Sequence, residues 1–224
     1  MHPEKLEDSH KFKLWKNKLL KNGLDIHKIE EVYSRRVGNG EVLFSLVMTD
    51  ATTPEGNKIP PICFIKGEVV CVLICLIDEL TAEKYLLLVR QRRICDGSMT
   101  YEHPAGMLDS EQDAAAVAAK EVWEETGIKI AKKSLIPLRE GPSYPSTGTS
   151  DEAMFFFYCE LTMSKSEIEG FHDKSQGMLS DHEYIETFVV PFSEGHRLIT
   201  NSNGILLNFL YLKAVEDWEL MKTL

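Results

Sequence analysis

Glu121, Glu124 and Glu125 fall within one short run, Lys120-Glu121-Val122-Trp123-Glu124-Glu125-Thr126-Gly127. A helix advances about 100° per residue. With Glu121 as origin, Glu125 lies about 40° to one side and Glu124 about 60° to the other, so the three carboxylates share one stripe. That arrangement is locally unfavourable. Like charges at i,i+4 cost roughly 0.2–0.5 kcal/mol per pair, and acids in a last helical turn oppose the helix dipole by about 0.3–1 kcal/mol each. A hard divalent cation held by oxygens, Mg²⁺ or Mn²⁺, would offset both costs. A bare Glu-x-x-Glu-Glu is ordinarily a solvated acidic face, so the chemistry depends on what surrounds it.

The surroundings form a loop, a helix and a second loop. Tyr101-Glu102-His103-Pro104-Ala105-Gly106-Met107-Leu108-Asp109 precedes Ser110, a natural N-cap, with Asp113 at the third position of a capping box. An Ala-rich body runs from Ala114 to Ala119, and Gly127 is a helix stop. Ala115, Ala118, Ala119 and Val122 fall about 60° to 160° around the same wheel, a packing side opposite the acids.

In this context the segment resembles the box of the Nudix hydrolases: Gly, five residues, Glu, seven residues, Arg-Glu, an aliphatic residue, any residue, Glu-Glu, any residue, Gly and an aliphatic residue. Gly106, Lys120, Glu121, Val122, Glu124, Glu125, Gly127 and Ile128 fall in register, and the spacing holds over 23 positions. Two positions depart. Gln112 stands where the first Glu belongs and Lys120 where the Arg belongs. Lys120 keeps the charge but loses the planar fork of a guanidinium.

The resemblance extends from about Ile62 to the C-terminus and is similar to one group, the ADP-ribose and nucleotide-sugar diphosphatases, in particular the plant-type ADP-sugar and the UDP-glucose diphosphatases. Glu102-His103-Pro104-Ala105-Gly106 looks like their Glu-x-Pro-Ala-Gly lead-in. Gln91-Arg92-Arg93 resembles their Gln-x-Arg segment. Pro142-Ser143-Tyr144-Pro145-Ser146-Thr147-Gly148 with Asp151-Glu152 resembles their loop after the box, and Gly177 to Ile185 the segment with their late acid. Taken singly, Pro104-Ala105-Gly106 is a tight turn, Arg93 one end of a surface ion pair and Glu183 an exposed strand acid.

The resemblance implies metal-dependent hydrolysis of a nucleoside diphosphate linked to a sugar. Glu121 and Glu125 would be the main ligands, with Glu124 a third and the Ala105 carbonyl a fourth. Arg93 would contact a phosphate, since a guanidinium matches two phosphate oxygens. Glu102 would contact the sugar or the nucleotide. Glu183 is the candidate general base, with Asp181 and then Glu152 behind it. The readings left open are a catalytically weak or silent nucleotide-binding module, which Gln112 and Lys120 favour, and a diadenosine-polyphosphate hydrolase, some of which use a Tyr at about the place of Tyr144.

Composition sets the frame. The 224 residues carry a net charge of −10 and 43% hydrophobic residues. That excludes a broad basic nucleic-acid footprint and allows a substantial core. An anionic substrate would need cations between it and the carboxylates. The longest apolar run, Val69 to Ile77, is too short to span a bilayer and predicts a buried strand. Five scattered cysteines show no zinc spacing, and with an N-terminus lacking a signal-peptide pattern they predict a cytoplasmic protein with free thiols. Phe12, Trp15 and Leu19 predict a helix, Glu41 to Thr49 a strand, and Thr53 to Asn57 a turn. Further strands are expected at Lys84–Gln91, Leu135–Leu138, Ala153–Leu161 and Glu183–Val190, with residues 162–182 irregular and a helix from about Ile205 to Leu220. The mixed order predicts an α+β fold, and the resemblance implies a Nudix-type α/β/α sandwich with a mixed sheet. Residues 1–60 would be an N-terminal helix-and-strand arm and 61–224 the Nudix hydrolase domain. By the same analogy the chain would be a homodimer joined through its arm.

Overall fold

The computed structural model describes residues 5–38, 40–108, 113–176 and 184–224. Contacts divide the chain into two compact units. The first gathers Met1–Val69, Met107–Gln112 and Ser143–Met154; the second gathers Val70–Gly106, Asp113–Pro142 and Phe155–Leu224.

In the first unit, α1 (His10–Lys21) starts at Ser9, whose side chain accepts from the Phe12 N–H. Phe12 and Trp15 are buried with Val42, Val47 and Ile65, and Leu19 packs on this cluster. The strands β1 (Asp25–Arg36), β2 (Val42–Thr52) and β3 (Ile62–Ile65) form a sheet in that order. β1 has no counterpart in the sequence pattern. Its charge-rich run lacks apolar alternation and most of it is exposed. It forms because it pairs antiparallel with β2 over its whole length, with cross-strand bonds such as Ser34 to Ser45 at 2.8 Å. The turn at Thr53–Asn57 closes through the Thr53 N–H and the Asn57 carbonyl, 2.8 Å.

The second unit is built on β4 (Glu68–Asp78) and β5 (Lys84–Arg92), paired antiparallel. Val70 to Leu76 and Tyr85 to Val89 are buried without alternation, as expected of strands covered on both faces. Next come β6 (Met99–Glu102), β7 (Ala105–Met107), α2 (Ala114–Thr126), β8 (Ile136–Pro137), β9 (Ala153–Met163), α3 (Lys165–Glu169), β10 (Ser175–Gln176) and β11 (Ile185–Pro191). The sheet order among the described residues is β10-β11-β5-β4-β9-β8, with β6 on β5 and β7 on β4. α4 (Phe192–Leu198), α5 (Ser202–Ala214) and α6 (Trp218–Met221) finish the chain. The class is α+β, as expected.

Three local expectations are corrected. α2 is capped by Asp113, whose carboxylate accepts from the Ala115 N–H at 2.9 Å; Ser110 lies outside the described residues. The single C-terminal helix is two, because Glu216 takes a left-handed φ of 56° and Asp217 starts a new cap. The stretch expected to be irregular contains α3, held by a capping box between Ser164 and Glu167.

Candidate active site

α2 carries the acid stripe, and its ends are set by residues suited to them. Asp113 supplies an acceptor at the start, and Gly127 ends the helix at φ 75°, where a side chain would be strained. Val117, Ala118 and Val122 are buried, which fixes the rotation of the helix. Glu121, Glu124 and Glu125 are then placed in three different environments.

Glu125 is buried, 8% exposed. Its Oε2 accepts the backbone N–H of Ala105 at 3.1 Å, a charge-assisted bond that joins the helix to the Pro104-Ala105-Gly106 turn. Glu121 lies against the same turn. A Cβ built on Gly106 would fall 2.1 Å from Cδ of Glu121 and 2.4 Å from its Oε2. Only glycine leaves that carboxylate its place. Glu124 is held from the solvent side: Lys120 Nζ donates to its Oε2 at 2.8 Å and lies 3.9 Å from Oε1 of Glu121. Lys120 thus bridges two acids of the stripe as a point charge.

The structure brings Arg93 and Glu102 together. Arg93 Nε and Nη2 each donate to a carboxylate oxygen of Glu102 at 2.8 Å, a bidentate pair. The Thr100 hydroxyl donates to Glu102 at 2.6 Å. The fully buried thiol of Cys71 is pushed up, first by burial and then by the nearby Glu125 and Glu102 carboxylates. One buried side chain therefore has both acids as neighbours. Cys71 and His103 belong to this neighbourhood although no motif marked them. His103 lies within the Tyr101–Asp109 run, at a position where the resemblance admits any residue.

The donor set tests whether a divalent cation fits. Among the described residues no three His, Cys, Asp or Glu side chains form a ready-made metal cluster. Mg²⁺ does not require one: it commonly takes one or two carboxylates and keeps waters and substrate phosphates for its other positions. Glu121 and Glu125 offer two oxygen ligands on one face, beside the Ala105–Gly106 backbone. A hard cation suits these carboxylate and backbone oxygens better than a soft metal does. Glu183, Asp181 and Gln112 lie outside the described residues. Glu152 belongs to the first unit, where it accepts from Lys66 Nζ at 2.5 Å. Tyr144 is also in that unit and lines a concavity of about 510 Å³ with Trp15, Leu19 and Ile62. No helix among the described residues is long and apolar enough to cross a membrane.

The family model for the NUDIX domain matches residues 67–201, and the chain belongs to that family. It is similar to Nudix hydrolase 14, chloroplastic, of Arabidopsis thaliana, 32% identical over 195 residues, covering 84% of this chain and 61% of that protein. A Nudix hydrolase of Schizosaccharomyces pombe described as uncharacterized is 28% identical over 129 residues, covering 57% of this chain and 58% of that one. The chain thus spans about three-fifths of the length of each relative. Among solved structures, an ADP compounds hydrolase superposes with a TM-score of 0.57 at 16% identity, covering 87% of this chain and 95% of its own, which supports the fold.

Proposed function

We propose that this chain hydrolyses the diphosphate bond of a nucleoside diphosphate sugar of the ADP-ribose or ADP-glucose type, giving a nucleoside monophosphate and a sugar phosphate. The observation that carries the reading is the seating of Glu121 and Glu125 against the Ala105–Gly106 turn, where only glycine fits and a backbone N–H fixes one carboxylate oxygen. The structural neighbour, an ADP compounds hydrolase, supports the substrate class. Glu121 and Glu125, with Glu124 and the Ala105 carbonyl as further ligands, would hold Mg²⁺ or Mn²⁺. When bound, the cation would neutralise the diphosphate and lower the pKa of the attacking water.

The chain's own groups do the rest. Water oxygen bonds to phosphorus, the bridging P–O bond breaks so that the second phosphate leaves with the bridging oxygen, and a carboxylate acting as base takes the water proton. Glu183 is the proposed base, on the resemblance, with Asp181 and Glu152 as the alternatives. Arg93, already oriented by Glu102, is proposed to present its guanidinium edge to a phosphate, and Glu102 to contact the sugar or nucleotide. We further propose a homodimer through the N-terminal arm, where the edge strand β1 exposes Val32 and Tyr33. A cytoplasmic location is proposed from free thiols at all five cysteines, a state suited to any reducing compartment; the Arabidopsis relative is named as chloroplastic.

The test is nucleoside monophosphate release from ADP-ribose, ADP-glucose and UDP-glucose, with Mg²⁺ or with chelator. Turnover should require the cation, and Glu125→Gln should abolish it while the protein stays folded. Equal turnover by that variant, or turnover indifferent to chelator, would sink the proposal. A second reading, a silent nucleotide-binding module, has one observation in its favour: Lys120 already occupies Glu124. It predicts nucleotide binding with no product under any cation.

A further inference from the structure

His103 is buried at 2% exposure and Asn208, on α5, is fully buried. His103 Nε2 lies 2.9 Å from Asn208 Oδ1, and Asn208 Nδ2 lies 3.1 Å from Nδ1 of His196 on α4. An amide nitrogen only donates and an amide oxygen only accepts. His196 Nδ1 therefore accepts, and His103 carries its proton on Nε2. This leaves Nδ1 of His103 a bare lone pair with no partner among the described residues. The reversed amide would instead strand an N–H in the core, which costs more. Burial pushes the imidazole down to about 4, so it is neutral at ordinary pH.

Two polar side chains in the core, His103 and Asn208, joined to a half-buried His196, are costly, and apolar residues would fill the space without desolvation. What they secure is the course of a short non-helical segment. Each of its residues is tied to a different element. Glu102 is held by Arg93 and Thr100. His103 reaches α5. The Pro104 carbonyl accepts from the Val72 N–H of β4 at 2.9 Å. The Ala105 N–H donates to Glu125 of α2. The His103 side chain is the only one of these ties to α5, and it acts two residues before the backbone that sets Glu125.

We propose that His103, through Asn208 and His196, is a positioning residue that fixes the Ala105–Gly106 turn and thereby the Glu121 and Glu125 carboxylates for a divalent cation. The role rests on the reading that those acids hold a cation, and it involves no change of protonation. Gln carries an N–H at the reach of Nε2, whereas Phe keeps the volume and loses the bond.

The experiment measures Mn²⁺ binding to the full chain without substrate, by the electron-spin resonance signal of free Mn²⁺, alongside urea unfolding. His103→Phe should weaken Mn²⁺ binding about 10- to 100-fold, the range seen when partners of metal-binding side chains are lost. His103→Gln should recover most of that loss. Asn208→Leu should weaken binding similarly, and the double variant with His103→Phe should lose little more, because the residues act as one chain. Should His103→Phe fail to fold, Asn208→Leu and His103→Gln carry the test. Wild-type affinity in His103→Phe, or Gln weakening binding as much as Phe, overturns the positioning role. If wild type binds no Mn²⁺ at millimolar levels, or Glu125→Gln binds it as well as wild type, the cation reading falls and this role with it. If Glu125→Gln loses Mn²⁺ while His103→Phe keeps it, only the positioning role falls.

Discussion

Gly106→Ala separates fold from site within a single methyl group. The added Cβ would stand 2.1 Å from Cδ, 2.4 Å from Oε2 and 2.5 Å from Cγ of Glu121. Ordinary carbon contacts lie near 3.5 Å, so the carboxylate carbon must retreat by about 1.4 Å. The three nearest atoms all belong to one flexible side chain, which is 17% exposed, so it can swing toward water. Off-rotamer adjustment costs about 0.5–1.5 kcal/mol, which for a chain of this size lowers the melting temperature by only a few degrees. Function should suffer far more. A 1 Å misplacement of an active-site group costs about 100-fold, or about 2.7 kcal/mol of transition-state stabilisation. The assay is initial rate against Mg²⁺ concentration, with urea unfolding in parallel. Gly106→Ala should need more Mg²⁺ and turn over about 100-fold more slowly, and it should add little to the defect of Glu121→Gln, since both act through one carboxylate. A Gly106→Ala protein with wild-type rate and Mg²⁺ requirement would refute the seating of Glu121. A loss of stability well beyond 1.5 kcal/mol would refute the steric argument by showing that the backbone, not the side chain, gives way.

Other outcomes follow from single features. Gly127→Ala places a Cβ on a residue at φ 75° and should cost about 1 kcal/mol, read as a melting temperature lower by about 2–4 °C. His103 sets a pH dependence of stability. Its folded value is about 4 against about 6.5 in an unfolded chain. Between those values the unfolded state takes up the proton and the folded state does not, so stability is full above pH 6.5 and falls as pH drops toward 4. The slope is at most about 1.4 kcal/mol per pH unit, about 3 kcal/mol in all. Urea midpoints at neutral and mildly acid pH should therefore differ more for wild type than for His103→Gln, and equal pH slopes would contradict the buried neutral imidazole.

The box helix was legible because several levels of the sequence agree there: Ala-rich propensity, an apolar side, an acceptor at one end and Gly127 at the other. β4 and β5 were legible as short continuous apolar runs. β1 was not, because its Lys-Glu-rich sequence has no face to bury and its strand exists only through pairing with β2. The break between α5 and α6 was hidden for another reason. No Gly or Pro marks it; Glu216 takes the left-handed conformation itself, while Asp217 caps α6 and pairs with Lys84 at 2.7 Å. Within the site, spacing placed the three acids on one helix side but gave no hint of how each is held. The burial of His103 was invisible, because its partner Asn208 is 105 residues away, on a helix whose other inward positions are Gly204, Leu207, Tyr211 and Leu212.

The electrostatic cost of three acids on one stripe suggested a cation as its remedy, and the protein supplies partial remedies of its own. They differ in how readily they can be withdrawn. The Lys120–Glu124 pair joins a side chain 54% exposed to one 22% exposed. Such pairs are worth about 1 kcal/mol or less, so Glu124 can exchange lysine for another cation at small cost. The bond from the Ala105 N–H to Glu125 is buried and charge-assisted, and breaking it would strand a backbone donor. Glu121 is held by shape, through the absence of a Cβ at Gly106. A fixed carboxylate, a shaped one and an exchangeable one lie side by side. The Arg-to-Lys departure places its hydrogen bond on the exchangeable member and leaves Glu121 only a 3.9 Å approach, so the chain differs from the family pattern at Lys120 while the Gly106 shape and the Ala105 N–H still seat Glu121 and Glu125.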